Sequence, residues 1–166
     1  MQKANPKRQL RKPQHQSRPG IERKLKPHPV FDYPEKENSN KLRGKVALIT
    51  GADSGIGKAV AGLFAKEGAD IAIAYLNEHK DARDTALIIT KKYNKKCLLI
   101  PGDLSNEKHC KAVVKKVVNE YKRIDILVNN AALHYENKSL ENLTTQELLK
   151  TFSTNIFSFF WLTREV

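Results

Sequence analysis

Three closely spaced glycines are the residues of this chain best suited to bind a ligand. Gly51, Gly55 and Gly57 lie between an apolar run, Val46 to Thr50, and an amphipathic run that continues to about Lys66. Glycine at these places permits a tight turn, close approach of the backbone to a ligand, and close packing of the following helix. The first N–H groups of that helix carry a partial positive charge, which suits a phosphate or a pyrophosphate. The spacing therefore predicts an anion-binding turn between a strand and a helix.

Two motifs resemble those of a family that uses such a turn. Residues 50–57 read Thr-Gly-Ala-Asp-Ser-Gly-Ile-Gly, which differs from the commonest dinucleotide fingerprint and from a P-loop. The string resembles the Thr-Gly-x-x-x-Gly-Ile-Gly motif of the short-chain dehydrogenase/reductase family. Residues 129–132, Asn-Asn-Ala-Ala, resemble the Asn-Asn-Ala-Gly signature of the same family, with Ala132 in place of the last glycine. The resemblance covers Lys41 to Val166, and it is to bacterial glucose-dehydrogenase-like and stress-associated oxidoreductases.

Strands and helices must alternate to bring these two motifs together. Continuous apolar runs are typical of parallel strands that are covered on both faces. A helix follows each of the first three runs, and a capping box at residues 144–147 opens another. The pattern and the resemblance predict an α/β fold, a Rossmann-type three-layer sandwich whose parallel sheet has the strand order 3-2-1-4. The predicted strands are Val46 to Thr50, Asp70 to Leu76, Cys97 to Pro101 and Ile124 to Val128.

Two local predictions concern the helices. The helix after the glycines carries apolar residues at the spacing of one stripe, which predicts that this stripe faces the core. Ser105 is predicted to cap a later helix, with Glu107 in its first turn. The residues of the predicted stripe are Ile56, Val60, Leu63 and Phe64.

The resemblance implies a nicotinamide dinucleotide, NAD or NADP, bound at the carboxyl ends of the strands. It implies that Asp103 and its neighbour Leu104 contact the adenine, although Asp103 also fits a simple turn aspartate. The implied cofactor-binding residues are Gly51, Asp53, Ser54, Gly55, Ile56, Gly57, Tyr75, Leu76, Asp103, Leu104, Asn129, Ala131 and Ala132.

The choice between NAD and NADP depends on the end of the second strand. A carboxylate there binds the ribose hydroxyls of NAD, and an arginine binds the extra phosphate of NADP. This chain has Tyr75 and Leu76 at that place, and neither Lys nor Arg lies at Leu76 or within the glycine turn. The sequence therefore favours NAD, with NADP as the alternative. Glu78 either reaches the ribose or supplies a first-turn charge to the next helix.

The activity implied by the resemblance is hydride transfer between the nicotinamide and a small alcohol or carbonyl substrate. Asn155 matches the family asparagine that holds a water in the proton relay, although an asparagine in a helix also bonds to backbone. His134 and Tyr135 follow the second motif and are expected to border a substrate pocket, although a lone histidine in a loop is more often simply solvated. The substrate itself is not identified by these residues.

The catalytic serine and the Tyr-x-x-x-Lys pair of the family have no match here. None of the five tyrosines has a lysine four residues later. We therefore expect a fold truncated after the fifth major helix and a chain that is inactive by itself. A non-catalytic nucleotide-binding module is the alternative function.

The first 40 residues differ in composition from the remainder. They contain six of the seven prolines, with ten lysines and arginines against four acidic residues, and the whole chain has a net charge of +12. Such a segment buries too little apolar surface to order its backbone, which predicts an extended or disordered arm, residues 1–40, before a domain of residues 41–166. The arm is expected to be a plain leader, a contact to another subunit through Val30, Phe31 and Tyr33, or a polyanion-binding segment.

Location and assembly are predicted from the absence of targeting signals and from the resemblance. No apolar run reaches the ~18 residues that span a bilayer, and the first 20 residues lack the apolar core of a secretory signal. Cys97 and Cys110 lack the spacing of metal ligands and are expected to be reduced thiols. We expect a cytoplasmic protein, with the intact relative forming a homo-oligomer, a tetramer.

Overall fold

A four-stranded parallel sheet runs through the part of the chain that the computed structural model describes, residues 24–27, 39–136 and 139–166. Its order, β3-β2-β1-β4, confirms the predicted order 3-2-1-4. The central strand β1 therefore pairs with β2 on one side and with β4 on the other. The strands are β1 (Val46–Thr50), β2 (Asp70–Tyr75), β3 (Cys97–Pro101) and β4 (Ile126–Val128).

Helices cover both faces of the sheet, as predicted. They are α1 (Gly55–Lys66), α2 (His79–Tyr93), α3 (Glu107–Tyr121), α4 (Thr145–Phe152) and α5 (Ser158–Glu165). A short 3₁₀ helix, Leu140–Asn142, precedes α4. A π-helical segment, Ser153–Phe157, joins α4 to α5.

Alternate residues of the strands point to opposite faces, and each face has its own core. Ile71 and Ile73 of β2 pack with Ala61 and Ala65 of α1 and with Ile89 of α2. On the opposite face, the alternate residues of β1 and β2 pack with α3 and α5. This three-layer arrangement explains the continuous apolar runs of the strands. The second core includes Leu48, Ala72, Ala74, Cys110, Val113, Val117 and Leu162.

The predicted apolar stripe of α1 is wrong in two of its four positions. Ile56 is 77% exposed and Leu63 is 53% exposed. The buried face instead consists of small residues, with Gly57, Ala61 and Ala65 at spacings of four. Small side chains let the helix axis approach the sheet closely, so they form the contact although larger apolar residues lie on the same helix.

The capping box predicted for α4 is observed, whereas the cap predicted for α3 is wrong. Thr144 Oγ1 accepts a hydrogen bond from Glu147 N at 3.2 Å, and Glu147 Oε2 accepts one from Thr144 N at 2.9 Å, which completes the predicted capping box. At α3 the cap is Asn106, whose Oδ1 accepts from Lys108 N at 2.9 Å. Ser105 is not the cap, because its hydroxyl contacts a lysine on another helix.

Most of the predicted arm lies outside the described residues. Of residues 1–40, the structure describes 24–27 and 39–40, so Val30, Phe31 and Tyr33 are not among them. Ser39 donates from its backbone N and from its hydroxyl to Glu67 Oε2, at 3.1 Å and 2.9 Å. This contact ties the start of the continuous described segment to the end of α1.

Two further expectations concern the cysteines and the membrane. Cys97 and Cys110 both carry free thiols. Burial raises the pKa of Cys97 to about 12 and that of Cys110 to about 11, so both thiols are protonated at neutral pH. Within the described ranges, every helix is too short or too polar to cross a bilayer.

The exposure of Leu63 on α1 can be tested by comparing two leucine-to-alanine substitutions. Leu63→Ala should change the free energy of unfolding by less than about 0.5 kcal/mol, because the Leu63 side chain is largely in solvent. Leu48→Ala should cost about 2–5 kcal/mol, because Leu48 is fully buried in the sheet. Urea unfolding followed by circular dichroism measures both. Equal losses in the two variants would contradict the observed packing of α1.

Candidate functional site

A cavity of about 610 Å³ lies at the carboxyl ends of the strands. Both β2 and β4 pair with β1, so the chain turns in opposite directions on the two sides of β1. Ligands of open α/β sheets bind at this kind of switch point. The cavity is lined by Asp53, Ser54, Ala74, Tyr75, Leu76, Glu78, Gly102, Asp103, Leu104, Ala131, Ala132, Leu133, His134, Tyr135, Lys150 and Thr154.

The glycine turn has the close contacts that the sequence predicts. Gly51 has a φ of +64°, and a Cβ there would lie 3.0 Å from the Cα of Ala131. At Gly57 a Cβ would lie 2.2 Å from the carbonyl oxygen of Gly51. Gly55 has a φ of +55°, but a Cβ there would meet no described atom within 4 Å. Gly51 and Gly57 are thus required by the protein's own packing, and Gly55 faces open space.

The start of α1 has no side-chain cap from the residue that precedes it. The hydroxyl of Ser54, the residue before the helix, donates to Asp53 Oδ2 at 3.1 Å and does not cap the helix. Without a side-chain cap from Ser54, the partial positive charge of this twelve-residue helix is not reduced from that side.

Thr50 and Asn130 join the end of β1 to the loop after β4. Thr50 Oγ1 accepts hydrogen bonds from the backbone N–H groups of Asn130 and Ala131, each at 2.9 Å. The Asn130 side chain donates from Nδ2 to the carbonyl oxygens of Thr50 at 2.9 Å and Gly51 at 3.1 Å. The second asparagine of the motif thus joins the loop after β4 to the end of β1.

The first asparagine of the motif has a different environment. Asn129 Nδ2 lies 3.4 Å from the hydroxyl of Thr163 on α5, and Asn129 is not part of the cavity lining. Asn129 was the predicted cofactor residue, whereas the residue that touches the glycine turn is Asn130. The spacing of the motif could not tell the two apart, because both asparagines directly follow the strand.

Two acidic residues, Asp53 and Glu78, line the cavity near the end of β2, and Asp81 is a third acidic residue close to Asp53. Asp53 is 7% exposed and Asp81 is 4% exposed. Burial raises the pKa of Asp53, and the carboxylates of Glu78 and Asp81 raise it further. Glu78 Oε1 is buried and has no hydrogen-bond partner among the described residues. Negative charge and an unused acceptor therefore lie beside Tyr75 and Leu76.

Asp103 and Leu104 supply a carboxylate and an apolar side chain at the end of β3. Asp103 Oδ1 accepts from Ser105 N at 2.9 Å, and its Oδ2 contacts Lys150 Nζ. Burial alone would raise the pKa of Asp103, but hydrogen bonds from Lys150 and Ser105 hold it below its ordinary value. The side chain is therefore ionised at neutral pH.

Asn155 lies in the π-helical segment and binds the loop that lines the cavity. Its Oδ1 accepts from Leu133 N at 2.7 Å, and its Nδ2 donates to the carbonyl oxygen of Leu133 at 2.8 Å. This is the backbone pairing named as the alternative to a proton-relay role, which stays a prediction. Next to it, Thr154 lines the cavity with a buried hydroxyl that has no hydrogen-bond partner among the described residues.

The cavity brings together most of the residues that the sequence named. The glycines form the adjoining turn, His134 and Tyr135 border the cavity, and Ile56 lies exposed on α1. Lys150 and Thr154 were missed, because no motif marks them and their approach to the cavity depends on the three-dimensional path of α4 and the π-helical segment. The predicted cofactor residues that line the cavity are Asp53, Ser54, Tyr75, Leu76, Asp103, Leu104, Ala131 and Ala132.

Comparison with known proteins gives consistent matches. A family model described as short chain dehydrogenase matches residues 45–166. The oxidoreductase YhdF of Bacillus subtilis (strain 168) is 53% identical over 154 residues, which are 92% of this chain and 53% of that protein. General stress protein 39 of the same organism is 49% identical over 153 residues, again 92% of this chain and 53% of that protein.

A solved structure agrees with these sequence matches. The crystal structure of a short chain dehydrogenase from Burkholderia cenocepacia J2315 in complex with NADP has a TM-score of 0.71 and 31% identity. The match covers 75% of this chain and 50% of that chain. The present chain thus spans about half the length of these relatives.

Because the two asparagines have different environments, we expect alanine substitutions at them to lower the free energy of unfolding by different amounts. Asn130→Ala should cost about 1–3 kcal/mol of unfolding free energy, because it removes both side-chain bonds to the glycine turn. Asn129→Ala, the matched control, should cost less than about 1 kcal/mol, since it removes one long contact at 3.4 Å. Chemical denaturation of the two variants gives the comparison. A larger loss for Asn129→Ala than for Asn130→Ala would contradict the assignment of these hydrogen bonds to Asn130.

Proposed function

Because this chain belongs to the short-chain dehydrogenase family, we propose that residues 41–166 are the nicotinamide dinucleotide-binding portion of an oxidoreductase. The observation that carries the proposal is a single cavity bordered by the glycine turn, the acidic end of β2 and the Asp103 carboxylate. These groups match the phosphates, the ribose and the base of a dinucleotide, in that order along the sheet.

The chain's own residues fit each part of such a cofactor. The open space at Gly55 and the start of α1 suit a pyrophosphate. The unpaired Oε1 of Glu78 suits a ribose hydroxyl, which would satisfy a buried acceptor. Asp103 beside Leu104 suits the amine and the flat face of adenine. Ala131 and Ala132 would border the nicotinamide, and the bound cofactor would supply hydride transfer at C4 of that ring.

We further propose that the site prefers NAD to NADP. Glu78 lines the cavity at the end of β2, and its carboxylate would repel a 2′-phosphate bound there. Leu76, which is 49% exposed at the same edge, offers no positive charge to a phosphate. The Burkholderia relative was solved with NADP, so the two cofactors need a direct comparison in this chain.

The substrate of the whole enzyme is proposed to be a small alcohol or carbonyl compound. Leu133, His134 and Tyr135 line the cavity beyond Ala132 and would border it. Asn155 holds Leu133 by two hydrogen bonds and so keeps this loop in place. A homo-oligomeric state and a cytoplasmic location belong to the same proposal and rest on the family resemblance.

The second candidate is a nucleotide-binding module without catalysis. The cavity residues that suit a dinucleotide would serve binding without hydride transfer equally well. Such a module would bind NADH and oxidise none of it with any carbonyl compound. Polyanion binding through the basic arm stays a prediction, which DNA retention by the chain with and without residues 1–40 would test.

Gly55 provides the sharpest test of dinucleotide binding. Gly55→Asn should weaken NADH binding more than about tenfold, because asparagine tolerates the left-handed backbone and its side chain fills the proposed phosphate space. Gly44→Asn is the matched control, since Gly44 has a φ of +74° and similar open space at a turn before β1. NADH fluorescence titration measures both. Equal affinities in the two variants would place the phosphates elsewhere.

Glu78 tests the cofactor preference. The unsubstituted chain should bind NADH more tightly than NADPH, and Glu78→Gln should reduce this preference by about three- to tenfold, because it removes one charge that faces the 2′ position. Glu120→Gln on the exposed face of α3 controls for the change in net charge. Tighter binding of NADPH by the unsubstituted chain would overturn the NAD assignment.

A further inference from the structure

Lys150 reaches from α4 across the cavity to the end of β3. Its Nζ contacts Asp103 Oδ2 and lies 2.6 Å from Ser105 Oγ. The side chains of Lys150 and Asp103 are 39% and 43% exposed, so the ion pair is partly shielded from solvent. All of its partners belong to the segment that directly follows β3. The lysine therefore links this segment to a helix that is distant in sequence.

The π-helical segment next to α4 helps to explain how this helix presents its polar side chains. Lys150 and Asn155 are five residues apart, which in a regular α-helix places them about 140° apart around the axis. A π-helical turn contains an extra residue, which brings positions five apart nearer to one face. Lys150 and Thr154 both line the cavity, and Asn155 binds Leu133 of its lining. The helix is thus attached at both ends of the cavity, to the loop after β3 and to the loop after β4.

The contacts of Asp103 leave its carboxylate able to accept a further hydrogen bond. Oδ1 accepts from Ser105 N and Oδ2 from Lys150, whereas each carboxylate oxygen can accept about two bonds. With both oxygens held, the carboxylate cannot rotate freely. A carboxylate held in one orientation accepts a further hydrogen bond only from a matching direction. A suitable donor is an exocyclic amine on a flat ring that lies against Leu104.

We propose that Lys150 is a positioning residue for base recognition, which holds the Asp103 carboxylate in the orientation that accepts the adenine amine. The inference rests on the proposed function, since it takes the base of the dinucleotide to lie at the end of β3. It adds a residue that contacts Asp103 and acts through it. A base with a carbonyl oxygen in place of the amine would face the fixed carboxylate acceptor to acceptor and bind more weakly.

The experiment compares NADH with reduced nicotinamide hypoxanthine dinucleotide, which carries that carbonyl oxygen. Both are titrated by fluorescence into the full chain. Lys150→Met should weaken NADH binding by about tenfold and the hypoxanthine compound by less than about threefold, so that discrimination falls. Lys150→Arg should retain the discrimination. Lys111→Met, which removes another ion-paired lysine on α3, is the matched control and should change neither affinity.

A double-substitution cycle separates positioning from a general charge effect. In an Asp103→Asn background, Lys150→Met should change NADH affinity by less than about twofold, because its partner carboxylate is already gone. If Lys150→Met weakens both dinucleotides equally, or is as harmful in the Asp103→Asn background, the inference is overturned. Lys150→Gln gives the same comparison if the methionine variant unfolds. Failure of the unsubstituted chain to bind either dinucleotide would instead overturn the proposed function, and the inference with it.

Discussion

The close contact between the glycine turn after β1 and the loop after β4 is the constraint on which the site depends. Thr50 and Asn130 hold this contact with four hydrogen bonds between 2.9 Å and 3.1 Å. Side chains at Gly51 or Gly57 would collide with the atoms that make it. Beside this contact, Asp53 and Ser54 of the turn line the cavity, and a Cβ at Gly55 would meet no described atom within 4 Å. The shape of the glycine turn is thus a consequence of packing within the protein.

The second wall of the cavity depends on a helix with one irregular turn. Lys150 of α4 contacts the segment after β3, and Asn155 of the π-helical segment binds the loop after β4. An extra residue in a helical turn costs regular hydrogen bonding, and such turns are frequent at functional sites. Here the polar side chains next to the irregular turn lie on the cavity side. The apolar side chains of Phe152, Ile156 and Phe160 on the same stretch are partly or largely exposed.

The sequence predicted those features that rest on strong local patterns. Continuous apolar runs gave the strands, the connection rules gave their order, and the two motifs gave the family, which the match over residues 45–166 confirms. Side-chain contacts that depend on three-dimensional approach were not predicted. The periodicity of α1 was compatible with a stripe containing Leu63, but Gly57, Ala61 and Ala65 make the contact because they permit close approach. Likewise, Ser105 has the chemistry of a helix cap, but Lys150 competes for its hydroxyl and Asn106 caps the helix instead.

If the backbone at residues 51–57 holds the diphosphate of a nicotinamide dinucleotide, its amides must sense the ligand. A titration of the ¹⁵N-labelled chain with NADH, followed by amide chemical shifts, measures this. We expect the largest shift changes at the amides of residues 51–57, with smaller changes near Leu76 and Asp103. Saturable binding that leaves the amides of residues 51–57 unchanged would contradict this binding mode.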